Sequence, residues 1–277
     1  MIVITGKNGY IGSILKSYLE KKGLEVRRAD VRGEVDDNVF KDAECVIHTA
    51  GIVHNKKADS ALYESVNTVL TKKLAEIAKN SGVKHFVFFS TMSVYGISEG
   101  AVTKDTSPKP VNDYGKSKLA AEKLLFCMQT DDFKITVLRP PMVYGTGCPG
   151  NYALLSKLVK KVPVFPSVEN KRSLLYIENL CECVTRVIKE EITGIVCPQN
   201  KKYVNTAEMC AYIAKTNGKK IFLSKFLGKI IPFIKINAAK KAFGSLYYDT
   251  DAAFLCDFVG LEESIELTEN NMLKFEQ

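Results

Sequence analysis

Hydrophobic and polar positions along the first half of the chain alternate between two periods. Short runs of apolar, often β-branched residues predict buried strands: Ile2 to Thr5, Glu25 to Ala29, Cys45 to Thr49, Lys84 to Phe89 and Lys134 to Leu138. Longer stretches with a helical period separate them. One runs from Tyr10 to Lys22 and is closed by Gly23. A second spans about Asp59 to Asn80, with Leu70, Leu74, Ile77 and Ala78 on one face, and stops near Gly82. A third, capped by Asn112 or Asp113, reaches about Met128. Strands alternating with helices imply βαβ units, whose right-handed crossovers build a parallel sheet. Continuous apolar strands are what a sheet covered on both faces requires. The predicted fold class is therefore α/β, a doubly wound parallel sheet.

After Arg139-Pro140-Pro141 the pattern changes. Gly145 to Gly150 is a Gly- and Pro-containing loop, and the periods beyond it become shorter and less regular. We expect a dinucleotide-binding (Rossmann) domain over residues 1–145, with about 173–200 returning to it. Residues 146–172 and 201–277 then form a smaller C-terminal substrate-binding domain. Ligands of open α/β sheets bind outside the carboxyl ends of the strands, where such a segment would supply the substrate's half of the crevice.

Composition narrows the function classes. Of the 277 residues, 46% are hydrophobic and 25% charged, which is ordinary for a globular protein. A net charge of +8 admits nucleic acid, a membrane surface or an anionic small molecule as partner. Lysines scattered through the helical stretches read as a solvated face. No zinc-finger spacing and no interleaving of basic and aromatic residues points to nucleic acid. The stretch from Phe222 to Phe243 is basic and amphipathic: Phe226, Leu227, Ile230 and Ile231 alternate with Lys225, Lys229, Lys235 and Lys240. It fits a membrane surface, and equally a helix packed on the smaller domain and interrupted at Pro232. The eight cysteines include Cys45 and Cys197 in apolar runs and a Cys181-x-Cys183 pair, too close for a usual disulfide and short of a zinc set. They predict unpaired thiols in a cytoplasmic protein, with no bound metal. The chain opens on a strand pattern with no charged leader, and no apolar run is long enough to span a bilayer.

The candidate chemistry starts at Thr5-Gly6-Lys7-Asn8-Gly9-Tyr10-Ile11-Gly12, between the first strand and the first helix. Gly6 permits a tight turn, Gly9 close approach of the backbone to a diphosphate, and Gly12 close packing of helix on strand. The diphosphate then meets free amides and the positive end of the helix dipole. Asp30, closing the second strand, can accept hydrogen bonds from ribose hydroxyls and repels a 2′-phosphate, which favours NAD. Arg27, Arg28 and Arg32 crowd that position and leave NADP possible.

Tyr114-Gly115-Lys116-Ser117-Lys118 opens the third helix and sets Lys118 one turn after Tyr114 on the same face. A phenol is a poor base at neutral pH, and a neighbouring ammonium is expected to lower its pKa towards the working range. Lys118 can also hydrogen-bond the nicotinamide ribose. In Phe89-Ser90-Thr91-Met92-Ser93-Val94-Tyr95-Gly96 an apolar strand ends in hydroxyls where the nicotinamide should lie.

With these elements in this order, the chain resembles the extended short-chain dehydrogenase/reductases, in particular the NAD-dependent sugar-nucleotide epimerase/dehydratase family. The likeness includes the glycine loop, Val46-Ile47-His48-Thr49-Ala50-Gly51, Asn67, the S-T-x-x-V-Y-G edge and the Tyr114/Lys118 pair. It implies Thr91, Tyr114 and Lys118 as the catalytic set, with Tyr114 transferring the proton. The implied cofactor residues are Gly6, Asn8, Gly9, Tyr10, Ile11, Gly12, Asp30, Arg32, Ala50, Gly51, Lys118 and Pro140. Ser93 would face the sugar; His48 is structural, and His54 and His85 carry no site signal. Arg172-Ser173-Leu174-Leu175-Tyr176-Ile177-Glu178-Asn179-Leu180 is similar to a family segment whose arginine binds the substrate diphosphate, and Asn151 to an asparagine that contacts the nucleotide.

Two departures bear on the reaction. Met142 stands where 4-epimerases of the family often carry asparagine. Met92 and Ser93 replace the Asp-Glu pair that 4,6-dehydratases use to eliminate water, so dehydration is not expected. The resemblance implies an NAD-dependent epimerase acting on a nucleotide-diphosphate sugar, with hydride abstraction at carbon 4 and a transient keto-sugar. It further implies a homodimer packed through the helix near Asp59–Asn80 and the Tyr114 helix, and a role in bacterial surface polysaccharide synthesis. A net reductase or dehydrogenase of a keto nucleotide sugar uses the same residues. A non-catalytic dinucleotide-binding protein would usually lack the tyrosine or the lysine, and both are present.

Overall fold

The five apolar runs pair as a parallel sheet. The computed structural model describes residues 1–53, 59–233 and 242–275. Its central sheet contains β1 (Ile2–Thr5), β2 (Val26–Ala29), β3 (Cys45–His48), β4 (His85–Phe89), β6 (Lys134–Leu138) and β10 (Gly194–Val196). The spatial order is β2-β1-β3-β4-β6-β10, and every recorded pairing is parallel. Ile2 stands opposite Val26 on one side and Cys45 on the other, and Phe88 opposite Val137. The order reverses between β1 and β3, so the loops after these two strands part at a switch point, where such sheets bind ligands.

Helix α1 (Tyr10–Lys21) lies against β1 and β2. The opposite core gathers Val3, Val46, Phe86, Phe88, Ile135 and Val137 from the strands. Leu74, Ala75 and Ala78 of α3 (Leu70–Asn80) and Ala121 and Leu125 of α4 (Asp113–Met128) close over it. Asn112 caps α4, its side chain accepting from the Gly115 amide at 2.7 Å. The single long helix expected before β4 is interrupted. A short α2 (Ser60–Tyr63) leads into a π turn, Glu64–Val69, and then α3. The wider turn carries Asn67 and Thr68 into buried positions, where both bond outside the helix.

The chain divides into two compact units. The first holds residues 1–96, 106–141 and 181–198. The second holds 97–105, 142–180 and 199–277. The sheet unit thus closes at Pro141 rather than Gly145, its returning segment is 181–198, and residues 97–105 leave it. They leave because β5 (Gly100–Val102) pairs with β13 (Leu246–Tyr248).

The second unit is assembled from short pairs, too short to show a period in the sequence. Besides β5–β13 they are β7 (Met142–Tyr144) with β9 (Leu174–Tyr176), β8 (Val164–Pro166) with β12 (Phe222–Ser224), and β11 (Pro198–Asn200) with β14 (Phe254–Cys256). Around them lie α5 (Asn151–Val159), α7 (Thr206–Thr216), α8 (Lys225–Ile230) and α9 (Leu261–Phe275). Helix α6 (Ile177–Lys189) carries the chain back to the first unit. Glu269 of α9, fully buried, accepts from Tyr152 at 2.9 Å and from Ser156 and Asn217 at 3.0 Å, and pairs with Lys160 at 3.0 Å. A buried carboxylate this well satisfied locks α9 to α5 and α7.

Candidate active site

The carboxyl edge of the sheet begins with the glycine loop. The chain leaves β1 at Gly6, whose φ of +91° belongs to a region side chains rarely adopt. A Cβ on Gly12 would stand 2.8 Å from Thr49 Oγ1, so only glycine lets α1 lie this close to β3. From β2, Arg28 donates to the Gly6 carbonyl and, at 2.6 Å, to Ser13 Oγ, bracing the loop from below. Gly9 is the N-cap of α1; it offers no side-chain cap, and the first turn carries no acid. The first-turn amides and the positive helix end are thus left for an anion. A Cβ on Gly9 would meet nothing within 4 Å, so the approach is open, and only glycine keeps it so. These features fit a dinucleotide diphosphate. Asn8 is exposed beside the loop, and Tyr10 and Ile11 are half-buried at the helix start.

At the end of β2, Asp30 and Arg32 are both exposed and form a bidentate pair, Nε to Oδ1 at 2.9 Å and Nη2 to Oδ2 at 2.7 Å. The hydrogen bond from Arg32 holds the Asp30 carboxyl down at about 2. The carboxylate keeps lone pairs for ribose hydroxyls. Of the three crowding arginines, Arg28 is committed to the glycine loop and Arg27 donates to the Val39 carbonyl at 2.8 Å.

After β3 the backbone passes through Ala50 and Gly51. Asn67, delivered by the π turn, accepts from the Ile52 amide at 2.8 Å and donates to the Ile52 carbonyl and Ser117 Oγ at 3.1 Å. A Cβ on Gly51 would lie 2.9 Å from Asn67 Oδ1 and 3.2 Å from Lys118 Nζ, which places the ammonium directly under this loop. His48 is buried between the hydroxyls of Thr5, at 2.7 Å, and Thr71, at 2.9 Å, and burial pushes it down to about 3. It is a neutral structural imidazole. His85 is likewise buried against Thr136, and His54 lies outside the described residues.

Thr91 follows β4 and caps a 3₁₀ turn, Met92–Tyr95, accepting from the Ser93 amide at 3.1 Å. Pro140 anchors the same turn from the end of β6, its carbonyl accepting from the Met92 amide at 3.0 Å. Thr91 and Tyr114 share a side-chain hydrogen bond, which assembles the two at the sheet edge. Lys118, buried, donates to the Phe89 carbonyl at 2.8 Å and lies 4.6 Å from the centre of the Phe88 ring. The expected lowering of the phenol is not what the protein's own groups produce. Burial, the largest influence, pushes Tyr114 up to about 12 against the Thr91 hydrogen bond. Burial also pulls Lys118 down to about 8, against the pull of Glu122.

Glu122 escaped the sequence reading. It sits one further turn along the face of α4 that carries Tyr114 and Lys118, and it is buried. It accepts from Ser90 and takes a bidentate contact from buried Arg139, whose Nη1 donates to Tyr95 at 2.9 Å. This network ties together the ends of β4 and β6, the 3₁₀ turn and α4, which set the position of Thr91. A charged residue repeating on the face that also presents Ala121 and Leu125 to the core was the available signal.

In the second unit, Asn151 and Arg172 line one cavity of about 340 Å³, together with Met142, Leu158, Leu174 and Thr206. Arg172 donates to the Gly244 carbonyl at 2.9 Å, and burial lowers its pKa. A single guanidinium in a mainly apolar cavity suits an anion attached to a flat or apolar group. Among the described residues no cluster of His, Cys, Asp or Glu can hold a metal. No described helix is long and apolar enough to cross a membrane.

A profile of the NAD dependent epimerase/dehydratase family matches residues 2–196. UDP-glucose 4-epimerase of Vibrio cholerae is 31% identical over 288 aligned positions, covering 90% of this chain and 87% of that protein. Among solved structures, UDP-glucuronic acid 4-epimerase from Bacillus cereus in complex with NAD superposes with a TM-score of 0.77 at 22% identity, covering 100% of this chain and 99% of the other. RMD from Pseudomonas aeruginosa complexed with NADPH gives 0.75 at 17% identity, covering 99% of each.

Proposed function

The chain belongs to the NAD-dependent epimerase/dehydratase family, and from that premise we propose that it is an NAD-dependent epimerase of a nucleotide-diphosphate sugar, acting at carbon 4. The observation that carries the reading is the Thr91–Tyr114 hydrogen bond at the sheet edge, with buried Lys118 beneath the Gly51 loop. Gly6, Gly9 and Gly12 would hold the diphosphate of the cofactor, Asp30 its adenosine ribose, and Lys118 its nicotinamide ribose. Held there, an oxidised dinucleotide would supply a hydride acceptor for the sugar carbon and a positive charge favouring ionisation of Tyr114. Thr91 hydrogen-bonds the sugar hydroxyl and Tyr114 takes its proton. After the keto-sugar has turned its other face to the site, Tyr114 returns the proton to oxygen while the hydride would be delivered back to the carbon, so no net reduction of the cofactor results. Ser93 faces the sugar. Arg172 and Asn151, in the second unit, hold the diphosphate and the nucleotide. Met142 offers the sugar no polar grip.

The exposed Asp30 carboxylate favours NAD, and Arg32 beside it keeps NADP open. The proposal extends to a homodimer packed through the helical segment near Asp59–Asn80, where Leu62 and Val69 are exposed, and the Tyr114 helix. It extends also to a cytoplasmic role in surface polysaccharide synthesis.

Purified protein is incubated with NAD and a panel of UDP- and GDP-sugars, and the products are resolved by NMR. Interconversion of a pair of 4-epimers without net cofactor reduction supports the reading. Stoichiometric oxidation of NADH or NADPH by a 4-keto sugar nucleotide, with no epimer formed, replaces it with the reductase.

A further inference from the structure

The positive charge of this chain is not spread evenly. Between Met209 and Tyr248 there are eight lysines and no aspartate or glutamate, which leaves 31 basic residues facing 31 acidic ones elsewhere. The whole excess of +8 belongs to one stretch of the second unit. Lys235, Lys240 and Lys241 lie outside the described residues and enter only as charge.

The described part of this stretch carries an unusual surface. Phe222, Phe226 and Phe233 are 68%, 73% and 82% exposed. Leu227 and Ile230 are exposed beside them, as are Lys220, Lys225 and Lys229. The local packing explains why. Helix α8 seats itself through Gly228, where a Cβ would overlap the Ser167 carbonyl, and its apolar side chains are left in water. Single exposed apolar residues are ordinary, but three exposed phenylalanines within twelve residues, interspersed with exposed Lys225 and Lys229, give a surface that water does not favour.

We propose that this face seats the protein on the surface of an anionic lipid bilayer. The phenylalanines enter the boundary between headgroups and acyl chains, and the lysines remain among the phosphates. Charge decides between this occupant and a second copy of the chain. A symmetric self-contact would set each cluster of lysines against its own image, and the stretch itself offers no carboxylate to lie between them, whereas an anionic bilayer supplies negative charge. With no described helix able to cross a bilayer, the attachment is peripheral.

The test is flotation of the full chain with vesicles of phosphatidylcholine alone or mixed equally with phosphatidylglycerol. The protein is expected to float with the mixed vesicles and to bind them at least tenfold more tightly than the neutral ones. Phe226→Ser with Phe233→Ser should weaken binding about tenfold for each ring removed. Lys225→Glu with Lys229→Glu should weaken it at least fivefold for each charge reversed, at about 1 kcal/mol per lysine. Both variants change exposed side chains, so circular dichroism and turnover of soluble substrate should match the parent. The proposal is overturned if the parent stays with the unbound fraction on mixed vesicles, or if the folded variants float as it does. It is equally overturned if the patch variants abolish self-association instead, or if a random 20-nucleotide RNA binds more tightly than the mixed vesicles.

Discussion

Replacing Lys118 by methionine should abolish turnover and yet stabilise the fold near neutral pH. In the folded chain burial moves the ammonium from 10.5 to about 8. At about 1.4 kcal/mol per unit, keeping it charged at pH 7 costs about 3 kcal/mol. Methionine fills a similar volume without a charge, but leaves the Phe89 carbonyl without its 2.8 Å donor, at a cost of about 1 kcal/mol. The balance is a gain of about 2 kcal/mol. The pH dependence separates this from simple repacking. Between about pH 8 and 10.5 the unfolded chain holds a proton on Lys118 that the folded chain has released, so lysine's penalty shrinks as pH rises. The variant's advantage is therefore full below pH 8, is gone by roughly pH 10 and reverses above that, where uncharged lysine still donates to the Phe89 carbonyl. Buried thiols such as Cys45 and Cys210, pushed up to about 12, make the folded state lose stability with rising pH over part of the same range. They are common to both proteins and cancel in the difference. Urea denaturation of the pair from pH 6.5 to 10, under reducing conditions, measures that difference. A methionine variant less stable than the parent at pH 7, or a gap that does not close with pH, would refute the reasoning.

Further expectations follow from the same geometry. Tyr114→Phe should lower kcat by about 10²- to 10⁴-fold while shifting the unfolding midpoint little, since the hydrogen bond with Thr91 is lost and the ring is kept; near-normal turnover would remove Tyr114 from the chemistry. Gly9→Ala and Gly12→Ala should separate binding from folding. The first meets no protein atom and should weaken NAD binding, read by calorimetry, at unchanged stability; the second, 2.8 Å from Thr49, should also cost about 1–3 kcal/mol of stability. Glu122→Leu should cost about 3–5 kcal/mol in denaturant titrations, because Arg139 is left buried without its carboxylate. Arg172→Met should raise the KM for a nucleotide sugar at least tenfold and leave the Kd for NAD unchanged, as befits a residue that lines only the second unit's cavity.

Much of the first unit was legible because its signals are local. Gly6, Gly9 and Gly12 lie within seven residues, and Tyr114 and Lys118 within one helical turn, so their spacing alone constrains what they do. The strands were legible for a related reason: burial on both faces leaves no polar position to break the run. Asn67 belongs to the family likeness, but the sequence does not show its task. It latches Ile52 across fifteen residues through a π turn that carries no mark in the sequence. Glu122 was missed because a glutamate in mid-helix reads as solvated, and only the arrival of Arg139 from β6 makes it a buried partner.

What the amino-acid order decided by itself is the parallel α/β scaffold, the glycine turn that leads into its first helix and the placing of Tyr114 and Lys118 on one helix face. Each of these depends on neighbours within a few residues, where covalent spacing is enough. The ionisation of Tyr114 and Lys118, the commitment of Arg28 to the glycine loop, the cavity around Arg172 and the outward turn of Phe226 and Phe233 came only with the tertiary structure. These depend on desolvation and on contacts between residues far apart in the chain, and neither quantity exists until the segments have packed.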